Sequence, residues 1–143
     1  MFSFDIETAD LVRHLLHLGI AYILAIPIGL NREKEARSAG LRTFPIVAMA
    51  ACGYMITGMY VLDTVEAEAR VLYGIITGIG FIGGGAILKD GGSVSGTATA
   101  ASIWTTGAIG IAVAFSRFEI AILLSVMNFV TLGLGNRLKD KME

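Results

Sequence analysis

The stretch Tyr73–Leu88, with the sequence YGIITGIGFIGGGAIL, decides how this chain can fold. It is apolar and uncharged, and six of its residues are glycine. In water it would form a poor helix, because each interior glycine costs about 0.8 to 1 kcal/mol relative to alanine. In a lipid bilayer the backbone must bond internally, so the helix is retained, and glycine lets a second helix approach closely. The stretch therefore predicts a transmembrane helix.

The glycines of this helix fall on two faces at 100° per residue. The two faces predict packing on both sides, so we expect this helix to stand at the centre of a bundle. A flexible linker is the alternative, but the large apolar residues between the glycines are unlike linker composition. One face holds Gly74, Gly78 and Gly85, and the other holds Gly80, Gly83 and Gly84.

The composition of the whole chain indicates an integral membrane protein. Of its 143 residues, 55% are hydrophobic and 16% are charged, whereas soluble domains average about 25% charged residues. One all-α domain is predicted, a bundle of about five transmembrane helices that occupies residues 1–143. The predicted spans lie at about 11–30, 43–62, 71–88, 97–115 and 120–136.

The charged residues predict the orientation of this bundle. With five spans, the two ends of the chain lie on opposite sides of the membrane. Placing the loop 31–42 in the cytoplasm puts eight of the eleven Lys and Arg residues inside, as the positive-inside rule requires. We therefore expect the N-terminus outside and the C-terminus in the cytoplasm.

Small and hydroxyl residues line one face of each of the last two spans. Such stripes are typical of helix packing in membranes, so a tight hairpin could bury both. A substrate path is the alternative, although no Asp, Glu, Lys or Arg occupies the centre of a span, as transport sites commonly require. The stripes are Thr99, Ser102, Thr106 and Gly110, and Ala121, Ser125, Asn128, Thr131 and Gly135.

The first span carries Asp10, His14 and His17 on one helical face. A carboxylate and two imidazoles at this spacing could hold a transition metal such as zinc, but a polar face at the membrane surface explains them more simply. No metal site is predicted. No catalytic arrangement and no phosphate-binding loop are evident either, since the glycine run lacks a following GK[ST]. We expect neither enzymatic activity, nor a cofactor, nor nucleic-acid binding.

Three separated motifs resemble the MgtC/SapB family of bacterial membrane proteins. They are GLNREKEARSAGLRT at 29–43, RVLYGIITGIGFIGGGAILKDG at 70–91 and SGTATAASIWTTGAIGIAVA at 95–114. The resemblance covers roughly residues 16–134. It implies a compact bundle of about five helices in the bacterial inner membrane, linked to magnesium limitation and, in some pathogens, to survival in host cells.

The resemblance also implies an action on other membrane proteins. We expect a regulatory protein that associates through its helices with itself or with a larger membrane partner, within the lipid bilayer. A small oligomeric channel or transporter for an ion or small solute is the alternative. Two departures from the family pattern are Asn31, where many members have an acidic residue, and the pair Thr97 and Ala98.

A binding site is predicted at the cytoplasmic face. The second and fourth spans begin there, so the positive ends of their helix dipoles point toward the cytoplasm. We expect the threonines to cap these helices and the charged residues to form a network that binds an anion. Ordinary interface anchoring and capping explain the same residues equally well. The site residues are Arg32, Glu33, Arg42, Thr43, Asp90, Thr97 and Thr99.

Overall fold

A computed structural model describes residues 7–35 and 39–139. It contains five helices, as predicted, together with two short strands. The elements in chain order are α1 (Thr8–Glu35), α2 (Thr43–Val61), α3 (Val65–Gly85), β1 (Leu88–Asp90), β2 (Ser93–Ser95), α4 (Thr97–Ala114) and α5 (Phe118–Lys139).

Successive helices run in opposite directions, so the bundle has two ends. We call the end that holds the α1–α2 connection and the β1–β2 hairpin the basic end. The other end, which holds the start of α1 and the connections 62–64 and 115–117, is the acidic end. At the acidic end the Thr64 hydroxyl accepts a hydrogen bond from the Ala67 N–H and caps α3. α1 continues through Pro27 to Glu35, so the start of the predicted loop 31–42 is helical.

α4 is the central helix of the bundle, since it packs against each of the other four helices. Its tightest contact is with α2. A Cβ atom on Gly110 would overlap the Ala48 carbonyl oxygen and lie 3.0 Å from the Ala51 Cβ. The α4 stripe predicted to pack is indeed buried: Thr99, Ser102, Thr106 and Gly110.

The expectation that α3 stands at the centre is wrong within this chain. Of its six glycines only Gly83 lies close to another helix, where a Cβ atom would be 3.1 Å from the Ala100 carbonyl oxygen. α3 instead packs through Ile75 and Ile79, and the Ile79 side chain fills the space beside Gly107 of α4. A Cβ atom on any of the remaining α3 glycines would have no neighbouring atom within 4 Å: Gly74, Gly78, Gly80, Gly84 and Gly85.

A β-hairpin joins α3 to α4. The sequence predicted a turn here, and it predicted that the third helix would extend as far as Leu88. Asp90 pairs with Ser93 across it. Gly91 and Gly92 both have positive φ, 52° and 90°, as a two-residue type I′ turn requires. Gly96 has φ 84°, and a Cβ atom there would overlap the Ala86 carbonyl oxygen. The hairpin therefore returns the chain tightly onto the end of α3.

Four helices are long and apolar enough to cross a membrane: α1, α2, α4 and α5. α3 is not among them, because its first turns carry Glu66, Glu68 and Arg70 and glycine lowers its mean hydropathy. Large apolar side chains on the outside of the bundle are exposed, such as Leu15, Phe81 and Leu123. The protein is thus an all-α membrane bundle, and the crossing of the membrane by α3 stays a prediction.

The contact between α2 and α4 leads to a prediction about stability. Gly110→Ala should lower the free energy of unfolding by about 1 to 3 kcal/mol, the usual effect of overpacking a close contact. Gly133→Ala in α5 is the matched control, because nothing lies within 4 Å of its Cβ position. Thermal unfolding in detergent measures both variants. Equal melting temperatures would contradict the close approach of the two helices.

Candidate functional site

The basic end contains a buried charged residue, Arg32, which is only 6% exposed. Its Nε and Nη2 atoms donate to the Asn31 Oδ1 at 3.3 and 2.9 Å. A buried charge needs such partners, since taking it out of water is otherwise very unfavourable. The Asn31 side chain thus supplies an acceptor to the guanidinium.

Glu33 ties the connection 39–42 to α1. Its Oε2 accepts a hydrogen bond from the Leu41 N–H at 2.8 Å. The backbone packs closely here, because a Cβ atom on Gly40 would overlap this carboxylate and one on Gly29 would lie 3.1 Å from the Leu41 Cα. The glycines of the motif 29–43 are therefore required by this tight return of the chain.

The threonines at this end do not cap the helices, contrary to expectation. The residue before α2 is Arg42 and the residue before α4 is Gly96, and neither position has a side-chain cap. Thr99 is buried in α4 at 1% exposure, and Thr43 and Thr97 are the first residues of their helices. Capping is replaced by the αL turn at Gly96, which carries the chain from the hairpin into α4.

The predicted site residues therefore divide into two groups. Arg32 and Thr99 are buried, whereas Glu33, Arg42 and Thr97 are exposed, Glu33 being engaged by its bond to the Leu41 N–H. Asp90 lies at the end of β1, and its side chain is outside the described part of the structure. The surface that remains available to a ligand or partner at the basic end thus includes Arg42.

Hydroxyl groups in the middle of the bundle hydrogen-bond to neighbouring helices and to their own backbone. Ser102 donates to the Asn128 Oδ1 at 3.0 Å, and Ser125 of α5 donates to the Leu24 carbonyl of α1 at 2.6 Å. Thr106 donates to the Ser102 carbonyl at 2.7 Å. The bond between Ser102 and Asn128 joins α4 to α5 and supports the hairpin interpretation of the two stripes, although Thr131 and Gly135 at the far end of α5 are exposed.

Asn128 has a further hydrogen-bonding group to offer. Its Nδ2 is buried and has no hydrogen-bond partner among the described residues. The side chain also lines a groove of about 320 Å³ between α4 and α5, together with Thr105 and Thr131. The sequence predicted that Asn128 is a helix-packing residue. Its bond to Ser102 accounts for the Oδ1 atom but not for the Nδ2 atom.

The acidic end holds a polar cluster that the sequence only partly indicated. His17 contacts the Arg13 carbonyl oxygen through Nδ1 at 2.8 Å and the Ser116 hydroxyl through Nε2 at 3.1 Å. Arg13 bonds to Asp10 and to the Tyr60 hydroxyl. His14 packs edge-on against the Tyr60 ring at 5.0 Å. This cluster joins the start of α1 to the end of α2 and to the α4–α5 turn.

Two of the metal-binding side chains in this cluster already have partners within the protein. Asp10 pairs with Arg13, and both nitrogens of His17 are engaged. No group of three metal-binding side chains occurs among residues 7–35 and 39–139. The sequence spacing of Asp10, His14 and His17 predicted that they share one helical face. The partners of this cluster, Tyr60 and Ser116, lie far along the chain and could not be inferred from that spacing.

The comparisons with known proteins agree with the motifs. The family model MgtC matches residues 18–141. An uncharacterized protein of Synechocystis is 37% identical over 116 residues, which are 81% of this chain and 49% of that protein. The putative magnesium transporter YhiD of Escherichia coli K12 is 34% identical over 131 residues, 87% of this chain and 61% of YhiD. Protein MgtC of Salmonella typhimurium is 32% identical over 114 residues, 80% of this chain and 48% of MgtC.

This chain therefore spans about half to three fifths of the length of these relatives. No solved structure matches it. The region matched by the family model contains the hairpin, the buried α4 stripe and the tight α1–α2 return, the features that shape the bundle. Because the family model covers most of the chain, this membrane bundle belongs to the MgtC family.

Proposed function

We propose that the protein is a regulatory protein of the bacterial inner membrane, linked to magnesium limitation, and that it is not an enzyme. It acts by helix association, either with a second copy or with a larger membrane protein. The observation that carries this proposal is the uncovered glycine face of α3. Within the chain α3 contacts α2 at Val71 and α4 at Ile79 and Gly83, while a Cβ atom on any of its other five glycines would meet open space.

Glycine destabilises a helix, and close packing against another helix usually explains why it is present. Each interior glycine costs about 0.8 to 1 kcal/mol relative to alanine, and in membranes glycine faces let two helix backbones approach. Beside Gly74 and Gly78 lies a groove of about 360 Å³, lined by apolar residues of α2 and α3 such as Ile46 and Ile82. A transmembrane helix of another chain fits the shape and the apolar chemistry of this groove.

The orientation is part of the proposal. With the basic end in the cytoplasm, Arg42 faces anionic lipid headgroups or the acidic surface of a partner. The acidic end, with Asp63, Glu66, Glu68 and Glu119, then faces outside. The link to magnesium is supported by the name of YhiD, a putative magnesium transporter, and by the family resemblance.

A small channel or transporter is the second candidate, and the name of YhiD favours it. The buried hydroxyls of α4 would then line a path. Against this reading, the hydroxyls of Ser102 and Thr106 already bond within the bundle, and Arg32, the buried charge on α1, lies near the basic end rather than at the centre. Purified protein in liposomes that carries magnesium or another ion at a rate proportional to protein content would favour this candidate.

Association through α3 predicts a specific defect. Gly78→Leu should weaken self-association or partner binding about tenfold, which corresponds to 1.4 kcal/mol, because leucine keeps the two backbones apart. The fold should be retained, since nothing lies within 4 Å of the Gly78 Cβ position. Fluorescence energy transfer between labelled chains in liposomes measures self-association, and affinity purification from membranes measures partner binding.

Gly133→Leu is the matched control for this experiment, because Gly133 is also a helical glycine with open space around it. It should associate as the unmodified protein does. If Gly78→Leu changes neither self-association nor the recovered partners, the α3 face is not the association surface.

A binding site at the basic end predicts that a variant there loses activity while the amount of protein in the membrane stays normal. Arg42→Ala should abolish function in a low-magnesium growth assay, because it removes an exposed cation while leaving the described hydrogen bonds in place. Lys34→Ala, which removes another exposed cation at the same end, should retain function. Membrane levels of each variant are measured by immunoblotting. Normal growth with Arg42→Ala at normal protein levels would remove the case for a site at this end.

A further inference from the structure

A deep groove lies on α4 between α3 and α5, toward the acidic end of the bundle. We call it the α3–α5 groove. Its volume is about 480 Å³, and Ala108, Ile111 and Ala112 of α4 are among the residues that line it. Leu72 and Ile76 of α3 line one side of it. The remaining lining residues are Ile79, Trp104, Gly107, Phe115, Arg117, Ile120 and Leu124.

The length of the groove matches one leaflet of a bilayer. From Trp104 to Phe115 the helix rises by about 16 Å, at 1.5 Å per residue. Half of the hydrocarbon core of a bilayer is about 15 Å thick. Since Phe115 follows the last residue of α4, the groove runs from one membrane surface to the region of the midplane, where Trp104 lies.

The groove carries a single charged residue, Arg117, at its surface end. The turn that presents it is fixed by the Arg117 N–H, which donates to the Ala112 carbonyl at 2.8 Å, and by Ser116 at φ 56°. The side chain is exposed, and it forms no salt bridge with Glu119 or with any other carboxylate that the structure describes. The guanidinium is therefore available to a ligand.

We propose that the α3–α5 groove binds one acyl chain of an anionic phospholipid, with the phosphate of the headgroup held by Arg117. The length and apolar lining of the groove suit the acyl chain. The guanidinium suits the phosphate, because it can form two parallel hydrogen bonds to it. A net negative headgroup is preferred over a zwitterionic one, since the latter adds a cation beside Arg117. This lipid site is independent of the association proposed for α3.

Trp104 provides a direct test, because it is the single tryptophan of the chain and is 57% exposed. Lipids brominated near the end of an acyl chain quench tryptophan fluorescence on contact. In liposomes that contain brominated phosphatidylglycerol or brominated phosphatidylcholine, we expect quenching to report about a fivefold preference for phosphatidylglycerol at the site. Equal quenching by the two lipids in the unmodified protein would overturn the proposal.

Variants of Arg117 separate charge from packing. Arg117→Gln should remove the preference for phosphatidylglycerol, while Arg117→Lys should keep most of it, since the positive charge is retained. Arg70→Gln, which removes an exposed cation that does not line the groove, should leave the preference unchanged. A preference that persists in Arg117→Gln, or that disappears equally in Arg70→Gln, would show that Arg117 does not select the lipid.

Discussion

The structure depends on the close approach of two helix backbones, α2 and α4, at Gly110. The absence of a side chain there brings the α4 backbone against the Ala48 carbonyl oxygen. With α2 so near, α4 is enclosed on several sides, and its residues Ile103, Ile109 and Val113 become fully buried or nearly so. The other helices then pack around this pair, which makes α4 the centre of the bundle.

Burial of α4 also determines where polar groups can lie. A hydroxyl in hydrocarbon needs a hydrogen bond, and each of Ser102, Thr106 and Ser125 has one. The Thr106 bond stays within α4, whereas the bonds from Ser102 to Asn128 and from Ser125 to Leu24 join two helices each. Interhelical bonds contribute on the order of 0.6 to 2 kcal/mol each. They fix the positions of α1 and α5 relative to α4. α3 makes extensive contacts only with α2 and α4. Its glycine face therefore stays uncovered, and other residues of α3 form one wall of the α3–α5 groove.

Much of this architecture could be predicted from the sequence, because helices in membranes have a strong pattern. Apolar runs separated by charged connections predicted the five helices, and helical spacing predicted the buried face of α4, whereas the bond from Ser102 to Asn128 is seen only in the structure. The centre of the bundle was assigned to the wrong helix for a physical reason. A glycine in the sequence indicates that another part of the protein can approach the helix backbone closely, but it does not indicate which part does so. On α4 the approach comes from Ala48 and Ile79, whereas most α3 glycines meet nothing within the chain.

The candidate sites were less predictable, because they depend on contacts between distant residues. The motif 29–43 pointed to the basic end, yet only the structure shows that Glu33 binds the Leu41 N–H and that Arg32 is buried. The His17–Ser116 contact joins α1 to the connection between α4 and α5, two parts of the chain that are far apart in sequence. Arg117 belongs to none of the sequence motifs. Its position at the charged end of the α3–α5 groove follows only from the packing of α3 and α5 on α4.

The central position of α4 can be measured directly by amide hydrogen exchange of the detergent-solubilised monomer, followed by mass spectrometry. Amides in well-packed elements exchange through larger opening events than those in peripheral ones. The account predicts that residues 97–114 exchange most slowly of all and that the glycine-rich half of α3, residues 74–85, exchanges clearly faster. Protection of residues 74–85 equal to or greater than that of α4 would contradict it.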